Sequence, residues 1–194
     1  MIDKTIIVVV DGANVNPVLK RWLQDQPNGT LASEFCSWKS TDMYVCRLNR
    51  IIAEFLRTKY DWVLLLDADI YPTDDLNKLL VSSLDVAGCS YVGKDSRTVH
   101  PDGVPSGCLR ISRAAAEKIG APWFSIEVTP DGESLIDCPC ESFTKRAKAA
   151  GYLPVNIGSV GHLIPMVVLP AGDKEQQIAI RFPAQYDLSK EIRV

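Results

Sequence analysis

Two aspartates, Asp67 and Asp69, stand at the end of the apolar run 62–66, and Pro72 follows shortly after. A continuous apolar run of this kind is typical of a buried strand in a parallel sheet. Open α/β sheets bind ligands at the carboxyl ends of their strands, so both carboxylates are predicted to face a ligand. Oxygen ligands of this type suit Mg²⁺ or Mn²⁺ bridging a substrate diphosphate. The competing interpretation is an ordinary strand followed by a solvated turn, because Asp and Pro are common in loops.

The composition is that of an ordinary globular protein, with 194 residues of which 46% are hydrophobic and 23% charged. A chain of this length buries one good core, so a single domain over 1–194 is predicted. The formal net charge of -3 gives no case for binding nucleic acid or an anionic membrane. The apolar runs 6–10 and 164–169 are too short to span a membrane, and residues 1–4 do not resemble a signal peptide. We therefore expect a cytoplasmic protein, complete or as one part of a larger multidomain chain.

Cys138 and Cys140 flank a proline and have the spacing of a metal-binding pair. Zinc patterns usually need a second such pair or two closely spaced histidines, and the histidines of this chain are His100 and His162. Zinc is therefore not favoured, and the cysteines are interpreted as small buried hydrophobic residues.

The elements that must position the carboxylates alternate between strands and helices, which predicts an α/β domain with a mostly parallel central sheet flanked by helices. Residues 26–29 are predicted to form a turn, and the polar stretch 30–41 is irregular or holds a short strand. Loops at 93–107 and 121–137 are the places where substrates are expected to bind. Strands are predicted at 4–10, 62–66, 86–92 and 153–157, and helices at 17–22, 44–59, 73–81, 113–119 and 143–150.

Four segments of the chain carry a family resemblance: 8–12, 62–72 with its Asp-x-Asp, 106–112, and 143–162, which ends in Gly161-His162. In this order they resemble the family-2-like glycosyltransferases of the GT-A fold, which use nucleotide-sugar donors. The resemblance implies a GT-A-type, Rossmann-like catalytic domain with a core of about residues 5–165 and a C-terminal extension over 166–194. It also implies metal-dependent transfer of a sugar from a UDP- or GDP-sugar to a carbohydrate hydroxyl, with inversion.

The same resemblance assigns roles to the residues of the predicted ligand site. Asp69 would bind Mn²⁺ or Mg²⁺, and Asp67 would reach the donor ribose or, through water, the metal. His162 matches a histidine that often supplies a further metal ligand. A bound cation would neutralise the charge that grows on the departing diphosphate. Judged from residue type alone, His162 is equally well a surface or core histidine with satisfied hydrogen bonds.

One departure from the family concerns the base that deprotonates the acceptor hydroxyl. The family usually has an acidic pair just before the helix phenylalanine, where this chain has Pro139 and Cys140. A thiol is a poor substitute for a carboxylate because its pKa and reach differ. Glu141, Asp137 or a group elsewhere takes the role. Glu141 is preferred because backbone N–H groups at a helix start can fix a carboxylate, although a plain helix-start charge is an equal interpretation.

Further residues are candidates for binding the donor or the acceptor. Asp11 is a candidate acceptor of hydrogen bonds from the base or ribose, and Arg47 or Arg50 is a candidate contact to the nucleotide, with solvated helix charge as the alternative. Gly107 would let the backbone approach the donor sugar. Trp123 would stack on an acceptor sugar or else fill the core. The candidate set is completed by Gly12 and Ala68.

A nucleotidyltransferase of a related fold would share the nucleotide and the metal but lack the closing Gly-His. Two further functions compete with sugar transfer. The haloacid-dehalogenase phosphatases also end a strand in Asp-x-Asp, but they carry Thr or Val where this chain has Tyr71, and their motif comes earlier in the chain. A non-catalytic sugar- or nucleotide-binding module of transferase-like fold is the second alternative. The missing acidic pair is the observation in its favour.

Overall fold

A computed structural model of the chain describes residues 4–10, 15–37, 42–91 and 103–162. Among these residues, no helix is both apolar enough and long enough to cross a membrane. Asp11, Gly12, most of the loop 93–107 and the extension 166–194 lie outside the described residues.

Ten strands and six helices make up the described part of the chain. The strands are β1 (Thr5–Val10), β2 (Gly29–Leu31), β3 (Trp62–Asp67), β4 (Ile70–Tyr71), β5 (Val86–Ser90), β6 (Cys108–Ser112), β7 (Glu127–Val128), β8 (Leu135–Asp137), β9 (Val155–Ser159) and β10 (Gly161–His162). The helices are α1 (Pro17–Gln24), α2 (Ala32–Phe35), α3 (Tyr44–Phe55), α4 (Asp74–Val81), α5 (Arg113–Ile119) and α6 (Pro139–Ala149).

Six of the strands form one sheet in the order β2-β1-β3-β6-β5-β9. β1 runs parallel to β2 and β3, and β5 runs parallel to β9. β6 is antiparallel to both of its neighbours, β3 and β5. The prediction of an α/β fold with a mostly parallel central sheet flanked by helices is confirmed at this level.

The first strand shows why the sheet is covered on both sides. All six residues of β1 are buried, as its run of β-branched residues predicts. Ile6 and Val8 pack in a core cluster with α3, α5 and α6, whereas Ile7 and Val9 pack in a second cluster with α1 and α4. Successive side chains of a strand point to opposite faces, so one strand contributes to both cores.

Helix α3 ends at Phe55, four residues before the predicted end at Lys59. The guanidinium of Arg113 donates hydrogen bonds to the backbone carbonyls of Leu56 at 2.9 Å and Thr58 at 2.7 Å. It also bonds the carbonyl of Tyr60 at 2.7 Å. These carbonyls follow the last helical turn, so a distant arginine stabilises the end of the helix in place of further helical turns.

Helix α6 starts at Pro139, four residues before the predicted start at 143. Proline suits the first turn of a helix because N–H groups there have no partner within the helix, so the N–H that proline lacks costs no hydrogen bond. The Glu141 side chain accepts a hydrogen bond from the Cys138 backbone N–H at 3.3 Å, which satisfies one group at the helix start. The loop predicted over 121–137 contains the short hairpin β7–β8.

Two residues of antiparallel pairing join β4 to β10, outside the main sheet. Gly161 pairs with Tyr71, and His162 pairs with Ile70. The chain just before β10 is held by α4, because the Asp75 carboxylate accepts a hydrogen bond from the Ser159 N–H at 3.0 Å. These contacts bring the end of the described chain back to the carboxyl end of β3.

Replacing Asp75 should weaken this connection in a pH-dependent way. Its pKa is lowered, first by the hydrogen bond from Lys78 at 2.6 Å and then by the bond from the Ser159 N–H. The folded-state pKa therefore lies below the unfolded value of about 3.9, so the stabilisation is present above that value and is lost as the pH falls through the lowered pKa. We predict that Asp75→Asn lowers the free energy of unfolding by about 1 kcal/mol at neutral pH.

The measurement is urea unfolding of parent and variant at pH 7 and at pH 3. The difference in unfolding free energy between parent and variant should be smaller at pH 3 than at pH 7. Lys78→Gln is the matched control and should have a smaller effect, because the lysine side chain is largely exposed. An equal difference at both pH values would contradict the assignment.

Candidate functional site

The carboxyl end of β3 and the start of β10 bring an acid and an imidazole together. Asp67 ends β3, and Asp69 follows in the turn that leads to β4. The β4–β10 pairing places His162 so that its Nε2 atom lies 3.1 Å from Asp69 Oδ2. His162 is buried, whereas the Asp69 side chain is 37% exposed. Two of the three predicted metal ligands are therefore in direct contact, with the carboxylate facing solvent.

The turn between the two aspartates is held by Asn16, the residue before α1. The Asn16 backbone N–H donates to the carbonyl of Ala68 at 2.7 Å, and its side-chain amide donates to the carbonyl of Ile70 at 2.9 Å. The Asn16 side-chain oxygen also accepts a hydrogen bond from the Val18 N–H and so caps α1. The candidate residue Ala68 thus takes part in this anchor through its backbone carbonyl.

The Asp67 carboxylate is closely confined. Its Oδ1 atom accepts a hydrogen bond from the Tyr44 hydroxyl at 2.5 Å. Its backbone N–H donates to the carbonyl of Gly107 at 2.8 Å. A Cβ atom at position 107 would lie 2.0 Å from Asp67 Oδ2 and 2.6 Å from the Tyr91 hydroxyl. Glycine is required at this position because any other residue would displace the carboxylate.

Two tyrosines, Tyr44 and Tyr91, surround this carboxylate, and sequence analysis identified neither. Burial raises the pKa of both phenols well above the usual value, and the negative charge of Asp67 raises them further. Both hydroxyls are therefore protonated at neutral pH, and the Tyr44 hydroxyl donates its proton to Asp67. The Tyr91 ring also lies against His162, with 4.9 Å between ring centroids. Tyr44 could have been identified from the sequence because it is the first residue of the predicted helix 44–59. Helices of α/β units start near the carboxyl ends of the strands, where ligands bind.

Cys140 faces inward from the start of α6. Its sulfur accepts a hydrogen bond from the Ser106 N–H at 3.2 Å and lies 3.2 Å from the Ser106 hydroxyl. A hydrogen bond with Cys138, together with burial, raises the pKa of the Cys140 thiol. The thiol is therefore protonated at neutral pH, which agrees with the view that it cannot replace a carboxylate base.

The two carboxylates beside it, Asp137 and Glu141, have different surroundings. Asp137 is buried, and its Oδ1 atom lies 2.5 Å from the Lys145 ammonium. Glu141 is exposed, and its side chain accepts the 3.3 Å hydrogen bond from the Cys138 N–H that caps α6. The helix-start role considered for Glu141 is thus present, and its carboxylate remains open to solvent.

Trp123 belongs to the core and is not a stacking platform for a sugar. The residue is 6% exposed, and its indole N–H donates to the carbonyl of Ala116 at 2.7 Å. Its backbone N–H bonds the Asn49 side chain at 2.9 Å, so the asparagine beside Arg50 anchors this loop. Arg50 is paired with Asp42, as expected for solvated helix charge. The acceptor-stacking prediction for Trp123 is therefore corrected to its alternative, a tryptophan that fills the core.

The residues present fit a metal ion that is shared with a substrate. No group of three or more His, Cys, Asp or Glu side chains suited to a metal occurs within the described ranges, so a protein-only cage is not seen there. Asp69 and His162 do supply one carboxylate and one imidazole, both ligands of Mn²⁺. Mg²⁺ and Mn²⁺ sites that act on phosphates commonly use one or two carboxylates and take their remaining ligands from the substrate and water. Arg47, the candidate contact to the nucleotide, lies half-buried on α3.

Comparisons with known proteins give a similar fold and no family. No protein-family model matches this chain, and no curated protein matches it. Among solved structures, the crystal structure of A197 from STIV is similar, with a TM-score of 0.57 and 17% sequence identity. The similarity covers 84% of this chain and 86% of that chain. At this level of identity the likeness shows the fold alone.

The crowding at Gly107 yields a prediction that does not depend on function. We expect Gly107→Ala to lower the free energy of unfolding by about 1 to 3 kcal/mol, since the new methyl group would overlap the Asp67 carboxylate. Urea unfolding measures the change. In a chain that also carries Asp67→Ala the same substitution should cost clearly less, because the overlapping oxygen is gone. Equal costs in both backgrounds would show that Asp67 does not confine this position.

Proposed function

We propose that this chain is a metal-dependent glycosyltransferase of the GT-A type, which moves a sugar from a nucleoside-diphosphate donor to a hydroxyl of a carbohydrate acceptor. The observation that carries the proposal is the contact between Asp69 and His162 at the end of β3. These residues belong to two separate segments of the family resemblance, 62–72 and 143–162. Their meeting in space supports one ligand site built from both segments.

The donor half of the site would rest on three side chains. Asp69 and His162 would hold Mn²⁺ or Mg²⁺, and a bound cation neutralises the charge that develops on the diphosphate as it leaves the sugar. Asp67 would accept a hydrogen bond from the donor ribose or bind the cation through water. Its Oδ1 atom accepts a hydrogen bond from the Tyr44 hydroxyl, which orients the carboxylate at the end of β3. UDP- and GDP-sugars both meet these requirements.

The acceptor half requires a base. In a direct displacement, the base takes the proton of the acceptor hydroxyl, and the acceptor oxygen forms a bond to the anomeric carbon. The bond from that carbon to the diphosphate oxygen breaks, and its electron pair leaves with the diphosphate, so the anomeric configuration inverts. Glu141 fits the role better than Asp137 because its carboxylate is exposed, whereas Asp137 is buried against Lys145.

A non-catalytic binding module of the same fold is the second candidate. Two observations favour it: Glu141 already caps α6, and Asp137 is already paired with Lys145. Such a module would bind a nucleoside diphosphate with Mn²⁺ and leave the donor intact. Hydrolysis of UDP- or GDP-sugars in the absence of an acceptor, measured as release of free sugar, separates the two candidates.

The metal assignment predicts the effect of two substitutions on binding. Asp69→Asn should weaken the binding of UDP or GDP in the presence of Mn²⁺ by at least about a hundredfold, because the anionic ligand is lost. His162→Ala should weaken it by about tenfold, since one neutral ligand among several is removed. Isothermal titration calorimetry gives both affinities. Asp74→Asn, at an exposed carboxylate nearby in the sequence, is the matched control. Unchanged affinity in Asp69→Asn would refute the proposed metal site.

The base assignment predicts a loss of turnover with donor binding retained. Glu141→Gln should lower the rate of transfer by about 10² to 10⁴, the usual loss on removing a general base. Asp137→Asn is the paired variant and should have a much smaller effect. Sugar transfer is followed by chromatography of the product. If Asp137→Asn is the damaging change, the base is Asp137 and the assignment to Glu141 is wrong.

A further inference from the structure

A line of hydrogen-bonding side chains connects the Asp67 carboxylate to the start of α6. The Tyr44 hydroxyl donates to Asp67 Oδ1 at 2.5 Å and lies 3.5 Å from the Ser106 hydroxyl. The Ser106 hydroxyl in turn lies 3.2 Å from the Cys140 sulfur. The four residues come from α3, β3, the segment before β6, and α6, so the line joins four separate parts of the chain. We call it the Tyr44 line.

The ends of the Tyr44 line belong to different halves of the proposed reaction. Asp67 lies on the donor side, at the end of β3. Cys140 is the second residue of α6, and the candidate base Glu141 is its direct neighbour. Ser106 is 3% exposed and Cys140 is 8% exposed, whereas Tyr44 is 37% exposed. Water therefore competes little at the Ser106–Cys140 end, and packing maintains the geometry there.

The direction of the hydrogen bonds is set by the charge at one end. A carboxylate is acceptor-only, so the Tyr44 proton must point to Asp67. The Tyr44 oxygen is then left as an acceptor for the Ser106 hydroxyl, and the Cys140 sulfur serves as acceptor for the Ser106 backbone N–H. One orientation of Tyr44 thus satisfies Asp67 and Ser106 together. Moving α6 would disturb Ser106 and, through it, the phenol that holds the carboxylate.

We propose that Tyr44 is a positioning residue, which holds the Asp67 carboxylate for the donor nucleotide and couples it through Ser106 and Cys140 to the helix that carries the acceptor base. The inference rests on the proposed function. It explains why a cysteine occupies the place of a family carboxylate: the side chain at 140 points inward to Ser106, and the exposed acid moves to the next position. Tyr44 is suited to this task because it is the first residue of α3 and its hydroxyl reaches Asp67.

The test is a double-mutant cycle on the affinity for UDP and for GDP, each in the presence of Mn²⁺. Tyr44→Phe removes one hydroxyl and should weaken binding by about ten- to a hundredfold, the usual worth of a hydrogen bond to a charged group. Cys140→Ala should weaken donor binding by about three- to tenfold although it lies on the acceptor helix. The double variant should bind about as well as Tyr44→Phe alone, because the coupling is already lost.

Two controls separate positioning from general damage. Cys140→Ser keeps a hydrogen-bonding group at 140 and should restore most of the affinity that Cys140→Ala loses. Tyr60→Phe removes a phenol that bonds Asn28 at 3.3 Å, away from the site, and should leave donor affinity unchanged. Urea unfolding should show that Tyr44→Phe is fully folded under the conditions of the binding measurement.

The outcomes distinguish this inference from the proposed function. If Asp69→Asn abolishes nucleotide binding and Tyr44→Phe leaves it unchanged, the positioning role is overturned and the proposed function stands. If the losses in Tyr44→Phe and Cys140→Ala multiply in the double variant, Tyr44 holds Asp67 without coupling to α6, and the inference is overturned in that part. If Asp69→Asn binds as well as the parent, the proposed function itself fails.

Discussion

The pairing of β10 with β4 is the interaction on which the candidate site depends. It involves two residues on each strand, yet it determines whether His162 reaches Asp69. So short a pairing is stable only when its flanks are held. The Asp75 carboxylate holds the chain before β10, and the Asn16 amide holds the turn before β4. The site is therefore assembled from segments far apart in sequence, by hydrogen bonds that lie at its border.

A second constraint is the space around Asp67. Its carboxylate lies against the backbone of Gly107, and the nearby phenols of Tyr44 and Tyr91 remain neutral because burial and the carboxylate charge raise their pKa values. A neutral donor fits this place well, since the Tyr44 hydroxyl stabilises the anion without cancelling its charge. The Asp69 side chain, by contrast, is partly open to solvent beside an imidazole. Two carboxylates one residue apart thus have different surroundings, which supports the different roles proposed for them.

The elements of the fold follow closely from local patterns, and the exceptions have physical causes. The apolar stripe of α3 and the buried run of β3 were predictable because periodicity and burial determine them. The end of α3 was not, because the Arg113 guanidinium, distant in sequence, bonds the carbonyls that follow it. The start of α6 was predicted too late because the proline at 139 was not treated as a first-turn residue. The placement of Trp123 in the core required a hydrogen bond to Ala116 that sequence does not show.

The sequence by itself determined the class of fold and the ligand candidates Asp67 and Asp69, whereas His162 became a candidate through the family resemblance. Residue type, spacing and the end of an apolar strand are local properties, so they can be read without coordinates. Only the tertiary structure decided that Asp69 meets His162, that Tyr44 bonds Asp67, and that Cys140 turns inward to Ser106. Contacts of this kind depend on strand order and helix placement across the whole sheet. No local pattern encodes them, because each partner satisfies its local rules equally well in many other arrangements.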